Sequence, residues 1–436
     1  MTPGAFQSLM ASQLSPLPLV ATCPRSGPNT VEKHSDLWFI DGSVVLQADK
    51  TVFLVHQTQL ARHSLIFRDM FSLPQPPAPR SRDDKVARGS PMFEGHPLVI
   101  MHDAAEDVAN LLTALYDGPT FGNNDPADFR IVSGILRLSS KYLIESLRSR
   151  ALAHLSIAWP ATLKGWDARE EAVRTFEYEN SHSSVANREH LYPSPIAVIN
   201  LAREANAPEL LPSAFYDLSR YTFAQIFEPS PLDDHASSSR FRYLTPPPSP
   251  PPQGNPSNSS PPPLSAVCQP SLSSSDLQKL ALGKEAAAAC VSALVQSMGR
   301  GPHIHSRRPS AYRPLSPPSA VLVHGTSSSP PPTASSSGWG SCTSPGACRK
   351  DFAELMGLAT QHYICDRQTG VMDPLYVAEE LGGLKSTEMM GEYLGVAKGE
   401  GAWGGECRSC ARSLEVWAAR ERERMWKMIP FWFRLD

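Results

Sequence analysis

The chain has no excess of one charge: charged residues make up 19% of its 436, and the formal net charge is −3. Such a balance sets up no broad positive field, so neither nucleic acid nor an anionic membrane surface is an expected partner. Long apolar runs are also missing, and none approaches the ~20 residues needed to span a bilayer. The opening stretch, MTPGAFQSLMASQLSPLPLVATCPRS, lacks a basic segment followed by an unbroken apolar one, so no secretory signal is expected. Signatures of catalysis are absent: there is no GxxxxGKS or GxxxxGKT phosphate loop, no GxGxxG, no HExxH and no GxSxG. No zinc-finger spacing of the DNA-binding kind occurs, and basic pieces such as His305-Ser-Arg-Arg308 are too short to fill a groove. Nothing repeats at a fixed period. Together these absences predict a protein that is not an enzyme.

What the chain has in quantity is proline, 42 residues, and the prolines are clustered. Residues 246–263 hold ten of them, with Ser, Asn, Gln and Gly making up most of the rest. Such a segment cannot bury a core and reads as an extended linker. The composition therefore predicts folded blocks joined by disordered segments: a tail over 1–36, a linker over 229–274 and a second linker over 301–346. Ser-Pro steps at Ser249, Ser316 and Ser344 suit proline-directed kinases, and the polyproline stretches suit SH3 or WW domains.

The first folded block reads as α+β. Ser43–Asp49 and Thr51–Val55 are apolar, β-branched runs on either side of the polar turn at Ala48-Asp49-Lys50, which predicts a hairpin. The period then changes to 3.6, with Leu60, Ser64, Phe67 and Phe71 on one helical face. Residues 75–91 read as an exposed loop and Pro97–Met101 as a third strand. Helices follow over Ala104–Tyr116 and from Asp125-Pro126 onward, their pattern running to Pro160. Strands followed by helices packed on the sheet is an α+β arrangement.

Beyond it, 161–190 reads as charged and irregular. A helical pair over Ile196–Arg203 and Leu210–Tyr221 follows, with Pro212 in the first turn of its second helix. An alanine-dense helix is expected over 275–300. The block 347–436 is patterned as helix and ends in the aromatic run Trp426–Phe433. Aromatics at that density are expected to dock on a core, either the pair at 194–225 or the helix at 275–298. Arg420-Glu-Arg-Glu-Arg424 reads as a solvated helix face.

Three stretches resemble the BTB/POZ family. Phe53-Leu-Val-His56-Gln-Thr-Gln-Leu60-Ala-Arg-His-Ser64-Leu-Ile-Phe67-Arg-Asp-Met-Phe71 is similar to its strand-to-helix pattern. Leu112-Thr-Ala-Leu115-Tyr116-Asp-Gly118 is similar to its helix ending in a Leu-Tyr-x-Gly turn. Leu138-Ser-Ser-Lys141-Tyr142-Leu-Ile-Glu145-Ser-Leu147 is similar to its closing helix pair. The resemblance implies a BTB/POZ domain over 37–158, a BACK-like helical extension over 159–228 and a small helical C-terminal region. The layout is also similar to fungal members with a Pro/Ser-rich middle. It implies protein partners, self-association among them, and in some members recruitment of corepressors or of a cullin-3 ubiquitin ligase. Asp41 stands where corepressor-binding members carry a buried acid, but the residue after His56 is the neutral Gln57, which argues against that mode. Met92-Phe93-Glu94 stands where cullin-3 adaptors carry a hydrophobic-x-Glu motif in a loop. His56 itself reads as a hydrogen-bonded core histidine.

The remaining chemical signal is Cys407-Arg-Ser-Cys410. Two thiolates at this spacing can grip one tetrahedral ion, and two more ligands are then needed. Cys342 and Cys348 are candidates, as are His362 and Cys365. Structural zinc, unligated thiols and a redox pair are the alternatives, and no thioredoxin-like βαβ setting supports the last. Eight cysteines without a secretory signal suggest a reducing, intracellular compartment, cytoplasm or nucleus.

Overall fold

A computed structural model describes residues 31–73, 91–181, 191–227, 271–299, 342, 344–365, 373–385 and 407–435. Linker residues 229–270, 301–341 and 343, loop residues 75–90, and Ser249 and Ser316 lie outside these residues. The fold class is α+β: one five-stranded sheet and many helices. The chain divides into two units, residues 1–58 with 73–105, and residues 59–72 with 106–436.

The first unit is a mixed sheet of β1 (Glu32–Trp38), β2 (Val44–Ala48), β3 (Thr51–Val55), β4 (Met92–Phe93) and β5 (His96–Met101), in the order β1-β3-β2-β5-β4. The predicted hairpin is present. β2 and β3 pair antiparallel, and Asp49 takes the left-handed conformation of the turn at φ 49°. β1 pairs parallel with β3, and β5 parallel with β2. Val45, Val52 and Leu54 form one apolar cluster, with Trp38, Phe93 and Leu98 packed against it.

Two expectations are corrected in this unit. The tail over 1–36 gives way to β1 at Glu32. Only Leu37 of that strand is buried, so its polar sequence carries no apolar pattern to read. Met92-Phe93-Glu94 is not loop but the first arm of a hairpin. Met92 faces Pro97 and Phe93 faces His96, with Glu94 and Gly95 at φ 47° and 85° forming the two-residue turn. Two consecutive positive φ values are the type I′ geometry, which Gly enters without strain.

The regular structure among the described residues of the second unit is helical. α1 (Gln57–His63) straddles the division between units, and α2 (Leu65–Ser72) follows it. The single helix expected here is broken at Ser64, whose hydroxyl accepts from Phe67 N and donates to Tyr142 O at 2.6 Å. α3 (Ala105–Tyr116), α4 (Pro126–Lys141) and α5 (Glu145–Ala158) come next. Asp125 caps α4 by accepting from Ala127 N and Asp128 N. Asp107 on α3 grips Arg137 on α4 through two hydrogen bonds of 2.9 Å.

Within the segment expected to be irregular at 161–190, Leu163–Ser181 forms instead the 19-residue α6, and 182–190 lie outside the described residues. Its charge density hid an inward stripe. Trp166, Arg169 and Val173 are buried, and Arg169 stays charged inside because Asp217 meets it at 2.8 Å and Glu170 at 2.9 Å. Trp159 and Trp166 also lie under its guanidinium. α7 (Pro195–Glu204), α8 (Leu211–Ser219) and α9 (Phe223–Phe227) follow, with Pro212 in the first turn of α8 as expected.

α10 (Ser274–Gly299) starts on Ser273, which accepts from Asp276 N and donates back to its carboxylate. α11 (Pro345–Thr360), a π-turn at Gln361–Cys365, α12 (Pro374–Gly383) and α13 (Arg408–Trp432) complete the unit. Of the closing aromatic run, Trp426 and Phe433 dock on the expected surfaces, whereas Phe431 is exposed. Phe433 is buried against Phe215 of α8 and over Gly283 of α10, while Trp426 meets Trp166 and Tyr216 and donates to Ala161 O. Arg420–Arg424 is not purely solvated. Arg422 reaches Asp167 on α6 at 2.5 Å and Glu379 on α12 at 3.3 Å. Among the described residues, no helix is long and apolar enough to cross a membrane.

Candidate metal centre

The site is built at two helix starts. Proline at the opening of α11 stops the chain from extending that helix backwards, and Cys348 lies in its first turns with Cys342 just before it. Cys407 is the residue capping α13, and Cys410 sits one turn in, where its N–H bonds to Cys407 O at 2.8 Å. The CxxC spacing therefore falls on a helix N-terminus, which turns both sulfurs to the same side.

α11 and α13 bring the two pairs together. The sulfurs of Cys342, Cys348, Cys407 and Cys410 all lie within 4.8 Å of one another. Cys342 and Cys407 are 3.8 Å apart, and none of the four is in a disulfide. A zinc–sulfur bond of ~2.3 Å separates sulfurs by about 3.8 Å along a tetrahedral edge, so the spacing suits a single ion. Of the further ligand candidates, Cys365 is exposed and neither it nor His362 belongs to the cluster.

The cluster lies at the N-terminal ends of α11 and α13, where the helix dipole is positive and favours negative sulfur. Lys385 adds a cation. Its side chain is 8% exposed, lies over the Phe352 ring one turn after Cys348, pairs with Asp351 at 3.0 Å and lowers the proton affinity of Cys348 through its charge. Sequence reasoning missed Lys385, since a lone lysine far along the chain from any cysteine carries no signal. Without an ion, burial dominates. It pushes the Cys348 thiol up to about 11 and the Cys410 thiol higher still, with the neighbouring thiols adding to the rise at Cys410. Four sulfurs, three of them buried, thus lie close together beside positive charge, with the Cys348 and Cys410 protons held tightly in the absence of a cation. The donor set can hold a soft or borderline ion by four sulfurs.

The other predicted residues are dispersed through the first unit. Met92 is exposed, Phe93 packs edge-on to Trp38, and Glu94 pairs with Lys33 at 2.7 Å. Asp41 is not the buried acid expected. Its side chain is 84% exposed, and it pairs with His56 itself at 3.2 Å. That hydrogen bond holds the Asp41 carboxyl below its usual range and leaves His56 half-buried beside Phe39.

No protein-family model matches the chain, and no curated protein matches it.

Proposed function

We propose that this chain is a non-enzymatic protein–protein interaction scaffold. In this reading a BTB/POZ-type module over 37–158 and BACK-like helices after it carry the binding, and one structural zinc ion fastens the C-terminal helices. The observation that carries it is the closed donor set at Cys342, Cys348, Cys407 and Cys410. Four sulfurs fill a tetrahedral ion and leave no position for water or substrate, which is the arrangement of a fastening rather than of a catalyst.

The BTB-type reading draws support from the β2–β3 hairpin that leads through His56 into α1, and from the break at Ser64 that ties α2 to Tyr142. Its partners would be proteins, a second copy of the chain among them. Cullin-3 adaptor function is the narrower alternative, and the exposed Met92 beside Glu94 favours it. Transcriptional regulation is a third use of the same module.

Metal analysis of the purified full chain tests the zinc reading. One zinc per chain is expected, and cobalt substituted for it should show the charge-transfer and d–d bands of a tetrathiolate. A chain with no stoichiometric metal leaves four unligated thiols and rejects the site. Sedimentation of the full chain across a concentration series tests self-association. A monomer at every concentration would count against a self-pairing scaffold. For the adaptor alternative, Met92→Ala with Glu94→Ala should abolish cullin-3 capture, and no capture by the unaltered chain would end the idea.

A further inference from the structure

The four sulfurs are not equivalent. Cys348, Cys407 and Cys410 are buried, whereas Cys342 is partly open to solvent. Cys342 also precedes α11, so its backbone is not gripped by helix hydrogen bonds as that of Cys410 is. An oxidant arriving from solvent meets this sulfur first. Cys407 Sγ lies 3.8 Å from that sulfur, so a second sulfur already lies beside the first. Burial shields the remaining two from direct attack.

From this asymmetry we propose, resting on the zinc reading above, that Cys342 is an oxidation site: a peroxide oxidises it, Cys407 resolves the product as a disulfide, and the ion is released. The chemistry balances in two steps. The Cys342 thiolate sulfur attacks one peroxide oxygen. The O–O bond breaks, an S–O bond forms, sulfur loses two electrons, and hydroxide leaves. The Cys407 thiolate then attacks the Cys342 sulfur. The S–O bond breaks, the S–S bond forms, and the second oxygen leaves as hydroxide. In sum, two thiolates, one hydrogen peroxide and two protons give one disulfide and two waters. Only Cys348 and Cys410 would then remain to hold an ion, which is too few to retain it. A thiol reductant reverses the change by returning two electrons to the disulfide, and the reduced cluster takes zinc back.

The consequence is local. α13 is fastened at its start by Cys407 and Cys410 and along its length by Trp417, Trp426 and Phe433, so oxidation would loosen its first turns and leave its aromatic end seated. The site would thus couple the grip on one end of α13 to the peroxide level.

The test uses the full chain, zinc-loaded, together with Cys365→Ser, which removes a second exposed thiol outside the cluster. Hydrogen peroxide is added in steps while a chromogenic chelator reads free zinc and peptide mapping without reduction reads the disulfides. The expected result is loss of one zinc per chain in step with a Cys342–Cys407 disulfide, and recovery of zinc after thiol reduction. Zinc that stays bound while free cysteine in the same solution is oxidised overturns the proposal, as does release accompanied by a different disulfide. A chain that holds no zinc before any oxidant is added overturns the zinc reading itself, and this proposal with it.

Discussion

Lys284 lies on α10 with its ammonium group buried, donating to Ser219 O at 2.7 Å and Tyr221 O at 2.6 Å. These are carbonyls at the end of α8, which the helix itself cannot satisfy. Burial lowers the lysine from 10.5 to about 8. Between those two values the unfolded chain binds more protons than the folded one, so stability contributed at this site rises with pH across the window and levels off above it. Lys284→Met should lack that rise. Denaturant midpoints of the two proteins, compared from pH 7 to 10.5, should diverge as pH increases. The variant should also carry a constant penalty of about 1–3 kcal/mol for the two carbonyls left without a donor. Parallel curves would mean that folding leaves the proton affinity of the lysine unchanged. Asp128 shows the opposite balance. Burial raises its carboxyl, but hydrogen bonds from Gly122 N and Asn124 N and the pairing with His154 outweigh this and hold it below the usual range.

At the scale of elements, α13 meets α10 where Phe433 lies over Gly283. A methyl group at position 283 would stand 1.9 Å from the ring. Gly283→Ala should therefore displace Phe433 and cost about 1–3 kcal/mol, while Phe433→Ala should cost about 3–5 kcal/mol. Because one change acts through the other residue, the double variant should cost clearly less than the sum, which thermal or denaturant unfolding will measure. Sequence patterning reached this docking in outline, because five aromatics near a chain end need cover. It could not reach the partner surface, since nothing in Gly283 announces a ring above it. The same limit explains the other differences. α6 was hidden because its buried arginine is satisfied by Asp217, from a helix far along the chain. β1 was hidden because an edge strand with one buried residue has no alternation to detect. The β2–β3 hairpin, α3, α4, α7 and α8 were legible because their apolar spacing and their turn or cap residues agree. At the cysteines, the CxxC was visible as a pair. The choice of Cys342 and Cys348 over His362 and Cys365 was not, since it depends on how α11 and α13 meet.

Across the whole chain, the α+β character comes from a sheet confined to the first unit and helices that account for the regular structure described in the second. The zinc reading makes a prediction at this scale. A strong chelator added to the full chain under reducing conditions should lower the unfolding temperature, and added zinc should restore it. An unfolding temperature unmoved by chelation would show that the four cysteines contribute to packing alone. The size of the effect follows from how far apart the ligands are in sequence. Cys342 and Cys407 are separated by 65 positions, so an ion held by both turns that stretch of chain into a closed ring. A ring of this length removes on the order of 4 kcal/mol of conformational freedom from the unfolded chain. Each doubling of its length would change that figure by only about 0.6 kcal/mol. Evolution could thus lengthen or shorten the segment between the two sulfur pairs at almost no thermodynamic penalty, provided that the four sulfurs still meet.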